Sequence, residues 1–204
     1  MVTKTEEKRE FFDSIAAQWD SFGGPPDAPH KMREFVRIAS AHRPSRILDV
    51  GCGTGILVPH LMEERAGAQI VELDLSPQML AVNKSKHGAA AVEFFCGDLV
   101  SAPLGASSFD AILFFNVLPH FDETGAALGR AFGLLAEGGR IAVGHLMGSA
   151  ELNAFHATVD GPVRQDRLPA STQLAELLEE TGFRVLQVDE RSDWYLVLAE
   201  KAKR

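Results

Sequence analysis

The sequence contains only two cysteines, Cys52 and Cys96, among its 204 residues. Two cysteines are too few for a disulfide framework, and these two lack the spacing of a zinc site. Long apolar runs are also absent, and the charged amino terminus lacks the apolar core of a secretory leader. We therefore expect a cytoplasmic protein without a membrane span.

Basic residues are in short supply, because 20 Lys and Arg stand against 28 Asp and Glu, for a formal charge of −8. This excess of negative charge repels phosphate backbones, and no dense Lys/Arg tract offsets it. Nucleic acid is therefore not an expected partner. The apolar share of 46% over this length predicts one domain with a buried core, residues 1–204, as either a monomer or a homodimer.

Apolar segments alternate with turn residues along most of the chain. They predict helices at 8–19, 28–41, 56–66, 77–86, 124–136, 150–157 and 171–181, and strands at 46–50, 68–74, 91–95, 109–115, 140–145, 183–189 and 194–200. Strands separated by single helices run parallel when each crossover is right-handed. The last two strands are joined by a short turn and are antiparallel to each other. The prediction is an α/β fold, a doubly wound seven-stranded sheet that is mostly parallel with an antiparallel C-terminal strand.

The first predicted strand runs into three glycines at alternate positions, Gly51, Gly53 and Gly55, followed by a helix. Glycines allow a close approach of backbone to ligand, and the amino end of a helix offers free N–H donors. Asp74 ends the second strand, nineteen residues after Gly55, which is the placement that grips ribose hydroxyls in dinucleotide folds. We therefore expect an adenosine-like ligand at the carboxyl ends of the strands.

The three glycines form G-x-G-x-G preceded by Asp49, whereas dehydrogenases prefer G-x-G-x-x-G. The pattern resembles the first motif of class I S-adenosylmethionine methyltransferases. Three further stretches match that family in the same order: Gly97-Asp98-Leu99, Phe109 to Asn116, and Leu134 to Arg140. The resemblance covers residues 46–145 and implies a Rossmann-like core over 28–145 with S-adenosyl-L-methionine as the methyl donor.

Residue by residue, the resemblance assigns the glycine loop and Asp49 to the methionyl end, Asp74 to the ribose and Asp98 to the adenine. From the residues alone, Asp49 also fits a brace for the glycine turn, and Asp98 also fits a simple turn residue. The expected cofactor contacts are Asp49, Gly51, Cys52, Gly53, Thr54, Gly55, Asp74, Leu75, Met79, Gly97, Asp98, Leu99 and Asn116.

The segment after the fourth strand, Asn116 to Phe121, bears on the methyl acceptor. It lacks the Asn/Asp-Pro-Pro-aromatic sequence of relatives that methylate nucleobase amines, and the Pro-Cys pair of cytosine-carbon enzymes. The end of the fifth strand and the residues after it are Gly144 to Met147, without the acidic cluster of metal-dependent catechol enzymes. We expect a small-molecule acceptor. The alternatives are a quinone precursor methylated on carbon, and a module that binds S-adenosylmethionine without catalysis.

Three histidines lie near the predicted crevice: His120 follows the fourth strand, His145 ends the fifth, and His156 lies on the next helix. Because the carboxyl ends of parallel strands converge, these side chains are expected to meet near the transferred methyl group. They fit a general base or substrate contact, since imidazole titrates near pH ~6.5. They also fit a zinc or similar metal site, or hydrogen-bonded core residues.

The amino-terminal segment, residues 11–20, resembles the start of the ubiquinone/menaquinone-type methyltransferases, where such a helix lids the pocket. Gly23 and Gly24 follow as a plausible hinge, which makes residues 1–27 a predicted lid. A helix packed permanently on the sheet is the alternative. Residues 146–204 are then expected to form the acceptor side of the pocket and the final strand pair.

Overall fold

The structure is a computed structural model that describes residues 3–90 and 92–202. Its α-helices are α1 (Lys4–Ile15), α2 (Ala28–Ala39), α3 (Val58–Glu64), α4 (Pro77–His87), α5 (Thr124–Leu134), α6 (Ser149–His156) and α7 (Ser171–Thr181). Its strands are β1 (Arg46–Val50), β2 (Gln69–Asp74), β3 (Val92–Cys96), β4 (Phe109–Phe115), β5 (Leu135–His145), β6 (Phe183–Arg191) and β7 (Trp194–Lys201). Short 3₁₀ helices cover Ala16–Phe22, Leu118–His120 and Pro162–Gln165.

All seven strands form one sheet in the order β3-β2-β1-β4-β5-β7-β6. The pairs among β1 to β5 are parallel, whereas β7 is antiparallel to both β5 and β6. The predicted fold class is therefore confirmed. The strands after β1 are added on one side of it up to β3, and β4 is then added on its other side. Ligands of such sheets bind at this switch point between β1 and β4.

Side chains alternate between the two sheet faces, so the sheet separates two apolar layers. Leu48 on β1 belongs to one layer, together with residues of α5 and α7. Ile47 belongs to the other, together with Phe35 of α2 and Leu61 of α3. Asp49 has the parity of Ile47, so a carboxylate lies on the α2 and α3 face of the sheet where a purely structural strand would carry an apolar residue.

Several predicted boundaries were wrong. The α-helix at the amino terminus begins earlier than residue 8, because Thr3 and Glu6 form a capping box, and after Ile15 it tightens into a 3₁₀ helix. β5 begins at Leu135, in a stretch predicted as the end of a helix and a turn. The pairing of β4 with β5 shifts near Asp110, and Gly138 adopts a φ of +76°, so a bulge replaces the expected turn.

Smaller differences remain at the ends of other elements. α3 begins at Val58, two residues later than expected, because the glycine loop continues as turns up to that point. β6 continues to Arg191, which reduces the final hairpin turn to two residues. Ala91, where the third strand is predicted to begin, lies outside the described residues.

Within the described part of the chain, no helix has the length and apolar character needed to cross a membrane.

Glycines in the sheet and in α5 provide a stability test. An added Cβ at Gly144 on β5 would lie 2.5 Å from the Cδ2 atom of the buried Phe35. We predict that Gly144→Ala lowers the free energy of unfolding by about 1–3 kcal/mol, as overpacked cores do. Gly129 lies inside α5 with nothing within 4 Å of its added Cβ, so Gly129→Ala should raise it by about 0.5–1 kcal/mol. Urea denaturation measures both, and a Gly144→Ala protein as stable as the parent would contradict the packing argument.

Candidate active site

The glycine loop connects β1 to α3 and borders the carboxyl edge of the sheet. Gly51, Gly53 and Gly55 all have positive φ, at +63°, +55° and +79°. A Cβ on Gly51 would lie 2.1 Å from Cγ2 of Val117, and one on Gly55 would lie 2.3 Å from Oδ1 of Asn83. Nothing lies within 4 Å of a Cβ on Gly53, so the middle of the loop faces open space. The absence of a side chain at the outer two glycines makes room for Val117 and Asn83, and at the middle one it leaves the backbone open to a ligand.

Asp74, at the end of β2, holds the loop in place. Its Oδ2 accepts a hydrogen bond from the Gly53 N–H at 2.7 Å, and its Oδ1 accepts one from the Ser76 N–H at 2.8 Å. Ser76 caps α4 as expected, because its Oγ accepts from the Met79 N–H. Asp74 is nevertheless occupied with backbone donors. Each carboxylate oxygen has a second lone pair, so its predicted contact with ribose hydroxyls stays a prediction.

Two more carboxylates lie beside Asp74 on the same face of the sheet. Asp49 and Glu72 are direct partners in the register of β1 and β2, and both are buried. Glu72 accepts from Nδ2 of Asn83 at 2.8 Å, while Oε1 of Glu72 and Oδ1 of Asn83 have no hydrogen-bond partner among the described residues. None of the salt bridges in the described part of the chain involves these three carboxylates. We call Asp49, Glu72 and Asp74 the acid cluster.

Burial and mutual repulsion shift the ionisation of the acid cluster. Burial, with the charges of Glu72 and Asp74, raises the pKa of Asp49 well above its usual value. Burial raises the pKa of Glu72 to about 7, against the opposing hydrogen bond from Asn83. Carboxyl groups that resist ionisation for lack of a nearby positive charge, and acceptors without donors, fit a ligand that brings a cation and hydrogen-bond donors. The ammonium and sulfonium groups of S-adenosylmethionine meet this requirement.

The other predicted residues of the loop are Cys52 and Thr54. Cys52 is buried among the acid cluster, and burial raises the pKa of its thiol, which is consistent with a packing role. The Thr54 hydroxyl donates to Oδ1 of Asp20 at 2.6 Å, so it fastens the 3₁₀ helix that follows α1. Contacts from these two residues to a cofactor stay predictions.

The remaining predicted cofactor residues lie at the ends of β2, β3 and β4. Asp98 accepts from the Val100 N–H at 2.6 Å, which is the turn alternative considered from the sequence, and its contact with adenine stays a prediction. Asn116 has a φ of +55°, and its Oδ1 accepts from the Leu146 N–H, which joins the ends of β4 and β5. The others are Gly97 and Leu75, half-buried, and Met79 and Leu99, buried.

Two of the three histidines converge on a residue that sequence reasoning missed, Asp166. His120 places Nδ1 at 2.7 Å from Oδ2 of Asp166, and Nδ1 of His156 lies 3.2 Å from the backbone oxygen of the same residue. The centroids of the two imidazole rings are 5.4 Å apart. Asp166 is buried, in the loop before α7, and nothing in its sequence surroundings indicates this role.

His145 lies deeper than the other two histidines. Its ring packs edge-on to Tyr195, and its buried Nε2 has no partner among the described residues. Burial, with the charges of His120 and His156, lowers its pKa to about 3. His145 is therefore neutral at physiological pH and suits a hydrogen bond better than proton abstraction.

The metal alternative for His120, His145 and His156 is not supported by the geometry. Residues 3–90 and 92–202 include no group of three His, Cys, Asp or Glu side chains arranged to hold a metal ion. Nδ1 of His120 and of His156 are both directed at Asp166, whereas His145 is buried and makes no such contact. His120 and His156 therefore form a hydrogen-bonded group around Asp166, and His145 makes no hydrogen bond to that residue.

The helix α1 lies across the crevice and contacts both sides of it. Oδ1 of Asp13 accepts from the Ser76 hydroxyl at 2.5 Å, near the acid cluster. The Phe12 ring packs edge-on to His120 with centroids 5.2 Å apart, and Trp19 packs against Phe12. The amino-terminal segment thus covers the space between the glycine loop and the histidines.

Comparison with known proteins connects this site to a family. A family model described as a methyltransferase domain matches residues 48–143. A demethylmenaquinone methyltransferase of Deinococcus radiodurans is 31% identical over 211 residues, which covers 89% of this chain and 86% of that protein. A demethylmenaquinone methyltransferase of Thermus thermophilus is 36% identical over 113 residues, which covers 54% of this chain and 51% of that protein.

Solved structures share the fold. The N-methyltransferase NodS from Bradyrhizobium japonicum, in complex with S-adenosyl-L-homocysteine, has a TM-score of 0.74 at 15% identity, covering 97% of this chain and all of that one. At that identity the likeness concerns the fold. The chain spans between 51% and 63% of the length of four of the curated relatives that it matches.

The acid cluster predicts a pH dependence of cofactor binding. A bound cation favours the ionised carboxylates, so it lowers the pKa of Glu72 from about 7, and the affinity rises as the pH increases through this value. We expect the dissociation constant of S-adenosylmethionine to fall by roughly tenfold between about pH 6 and 8, one pKa unit being worth a factor of ten. Calorimetric titration measures it. Glu72→Gln is the control and should remove most of the dependence. A parent protein whose affinity is constant over this range would contradict the interpretation.

Proposed function

Since this chain belongs to the class I S-adenosylmethionine-dependent methyltransferases, we propose that it transfers a methyl group to a small molecule that must lose a proton, from a hydroxyl or an acidic carbon. The observation that carries this proposal is the pairing of His120 with Asp166 at the crevice, across from the glycine loop. A proton-accepting imidazole is needed only when the nucleophile carries a proton to be removed.

The residues around the glycine loop fit the donor. The open backbone at Gly53 and the acid cluster would hold the methionyl end, and Asp74 and Asp98 would contact the ribose and adenine. The bound donor supplies an electrophilic methyl group on a sulfonium cation. The residues of the protein then align the acceptor with this methyl group and exclude water from the site.

His120 is the residue that we assign as the base. Burial works against the ionised form of Asp166, but hydrogen bonds from His120 and Lys8 outweigh it and hold the pKa of this carboxyl below its usual value. An ionised carboxylate only accepts hydrogen bonds, so the proton of a neutral His120 lies on Nδ1. Nε2 then has a free lone pair, and it takes the proton that the acceptor loses.

The neighbours of His120 suit the remaining tasks. His145, neutral and with an unpartnered Nε2, would orient the acceptor by a hydrogen bond. The rings of Phe12 and Trp19 would exclude water when the amino-terminal segment, residues 1–27, closes as a lid. Residues 146–204 would supply the acceptor side of the pocket, with Asp166 and His156 among them.

The named activities of relatives favour a hydroxylated aromatic acceptor. Two relatives are demethylmenaquinone methyltransferases, and one of Xanthomonas axonopodis, 29% identical, is a ubiquinone biosynthesis O-methyltransferase. Methylation of a hydroquinone on oxygen or on ring carbon begins in both cases with loss of a hydroxyl proton. A quinone precursor is therefore the second candidate acceptor within this proposal, and the same base would serve it.

A panel of acceptors tests the proposal. Formation of S-adenosylhomocysteine is measured with phenols, catechols, reduced naphthoquinones, thiols and primary amines, each with and without a chelator. We expect turnover with hydroxylated aromatics, no turnover with amines, and no effect of the chelator. Preferential methylation of amines would contradict the acceptor class. Binding of S-adenosylmethionine without turnover of any acceptor would support the alternative of a non-catalytic module.

Substitution of the base separates its role from cofactor binding. We predict that His120→Gln reduces turnover of the best acceptor by roughly a hundredfold, a typical contribution of general base catalysis. Its affinity for S-adenosylmethionine should stay within a few-fold, because the glycine loop and acid cluster are untouched. His30 is exposed on α2, so His30→Gln serves as the matched control. Full turnover in the His120→Gln protein would rule out the assignment.

A further inference from the structure

A single lysine of the amino-terminal helix is buried against the histidine group. The Lys8 side chain is 6% exposed. Its ammonium donates to Oδ1 of Asp122 at 2.8 Å and to the backbone oxygen of His120 at 2.8 Å, and it forms a salt bridge with Oδ1 of Asp166 at 2.9 Å. The ammonium therefore has three oxygen neighbours, as many as it has N–H donors. These contacts of Lys8 involve neither the glycine loop nor a strand of the sheet.

The two oxygens of Asp166 are divided between Lys8 and His120. Oδ1 faces the ammonium and Oδ2 faces Nδ1 of the imidazole. A buried carboxylate needs one compensating positive charge. Either Lys8 or a protonated His120 can supply it. While Lys8 is in place, the carboxylate is neutralised and His120 does not need to carry a proton on Nε2.

The other charged and titratable groups around His120 come from several elements. Asp122 follows His120 and shares Lys8, and its side chain is 35% exposed. The ring centroid of His156 on α6 is 5.4 Å from that of His120, and the charge of His120 acts on the pKa of His145 on β5 and lowers that of the Asp74 carboxylate. Among these groups, Lys8 is the cation that directly contacts the carboxylates of Asp166 and Asp122.

We propose that Lys8 is a positioning residue that keeps His120 in its neutral, proton-accepting form by neutralising Asp166. This inference rests on the proposed function, in which His120 is the base. Because Lys8 lies on α1, the base becomes competent only when the amino-terminal helix is docked over the crevice. Docking of the helix and activation of the base are then one event, so a proton is abstracted only in a closed site.

Magnetic resonance of the imidazole rings tests this without any acceptor. The protein is labelled with ¹³C-histidine, the Cε1–H signal of His120 is assigned by its loss in His120→Gln, and its shift is followed from about pH 5 to 9. The variants are Lys8→Met, which keeps the length of the side chain but removes its charge, and Asp166→Asn. Lys4→Met is the matched control, since Lys4 is exposed on the same helix. Thermal unfolding verifies that each protein is folded.

We expect His120 in the Lys8→Met protein to take up its proton at a pH at least about one unit higher than in the parent, as expected for an unbalanced carboxylate neighbour. Lys4→Met should titrate like the parent. Asp166→Asn should protonate at a lower pH than the parent, and it provides the test if Lys8→Met does not fold. A Lys8→Met titration that matches the parent, or an Asp166→Asn titration that moves upward, would overturn the proposal.

A second readout distinguishes this inference from the assignment of the base. With an acceptor found in the panel, the acid limb of the rate profile in Lys8→Met should move to higher pH, and turnover should recover above it. A role of Lys8 in packing alone predicts an equal loss at every pH and overturns the proposal. If His120→Gln keeps full turnover while the magnetic resonance shift is observed, the base assignment fails and the electrostatic role of Lys8 stands.

Discussion

The hydrogen bonds of Asp74 are the constraint on which the cofactor side of the site depends. Its carboxylate holds the middle of the glycine loop and the start of α4, and its backbone oxygen accepts from the Gly97 N–H after β3. One residue thus joins the carboxyl ends of three parallel strands. The interaction is available only because β1, β2 and β3 lie side by side and point the same way. Asp74 satisfies the Gly53 N–H of the loop, and the Gly51 N–H donates to the backbone oxygen of Leu73, so both donors have partners.

A second carboxylate, Asp166, organises the acceptor side in the same manner. It joins Lys8 of α1, His120 after β4 and His156 of α6, which are far apart in the chain. The cofactor side and the acceptor side of the site differ in how their carboxylates are compensated. The acid cluster is short of positive charge, whereas Asp166 is compensated within the protein. This division suits a reaction in which the donor brings a cation and the acceptor brings a proton.

The helix α1 connects the two halves. Asp13 reaches the cap of α4 on one side, and Lys8, five residues earlier in the helix, reaches Asp166 on the other. The aromatic face between these contacts lies over His120. The same helix therefore contacts the cap of α4 on the cofactor side, neutralises Asp166 on the acceptor side and covers the site against water. The second of these roles explains why a short polar helix carries a buried lysine.

Local sequence determined the order of strands and helices, the parallel sheet and the glycine loop, because these depend on residue periodicity and on the backbone freedom of glycine. It also indicated His120 and Asp74 by their position after strands. Boundaries at β5 and α1 differed, since a bulge opposite Asp110 and a capping box at Thr3 decided them. Only the tertiary structure revealed Asp166 and Lys8 as partners of His120, and the pairing of Asp49 with Glu72. Charge compensation in a buried site depends on distances between segments remote in the chain, and no local pattern encodes such distances.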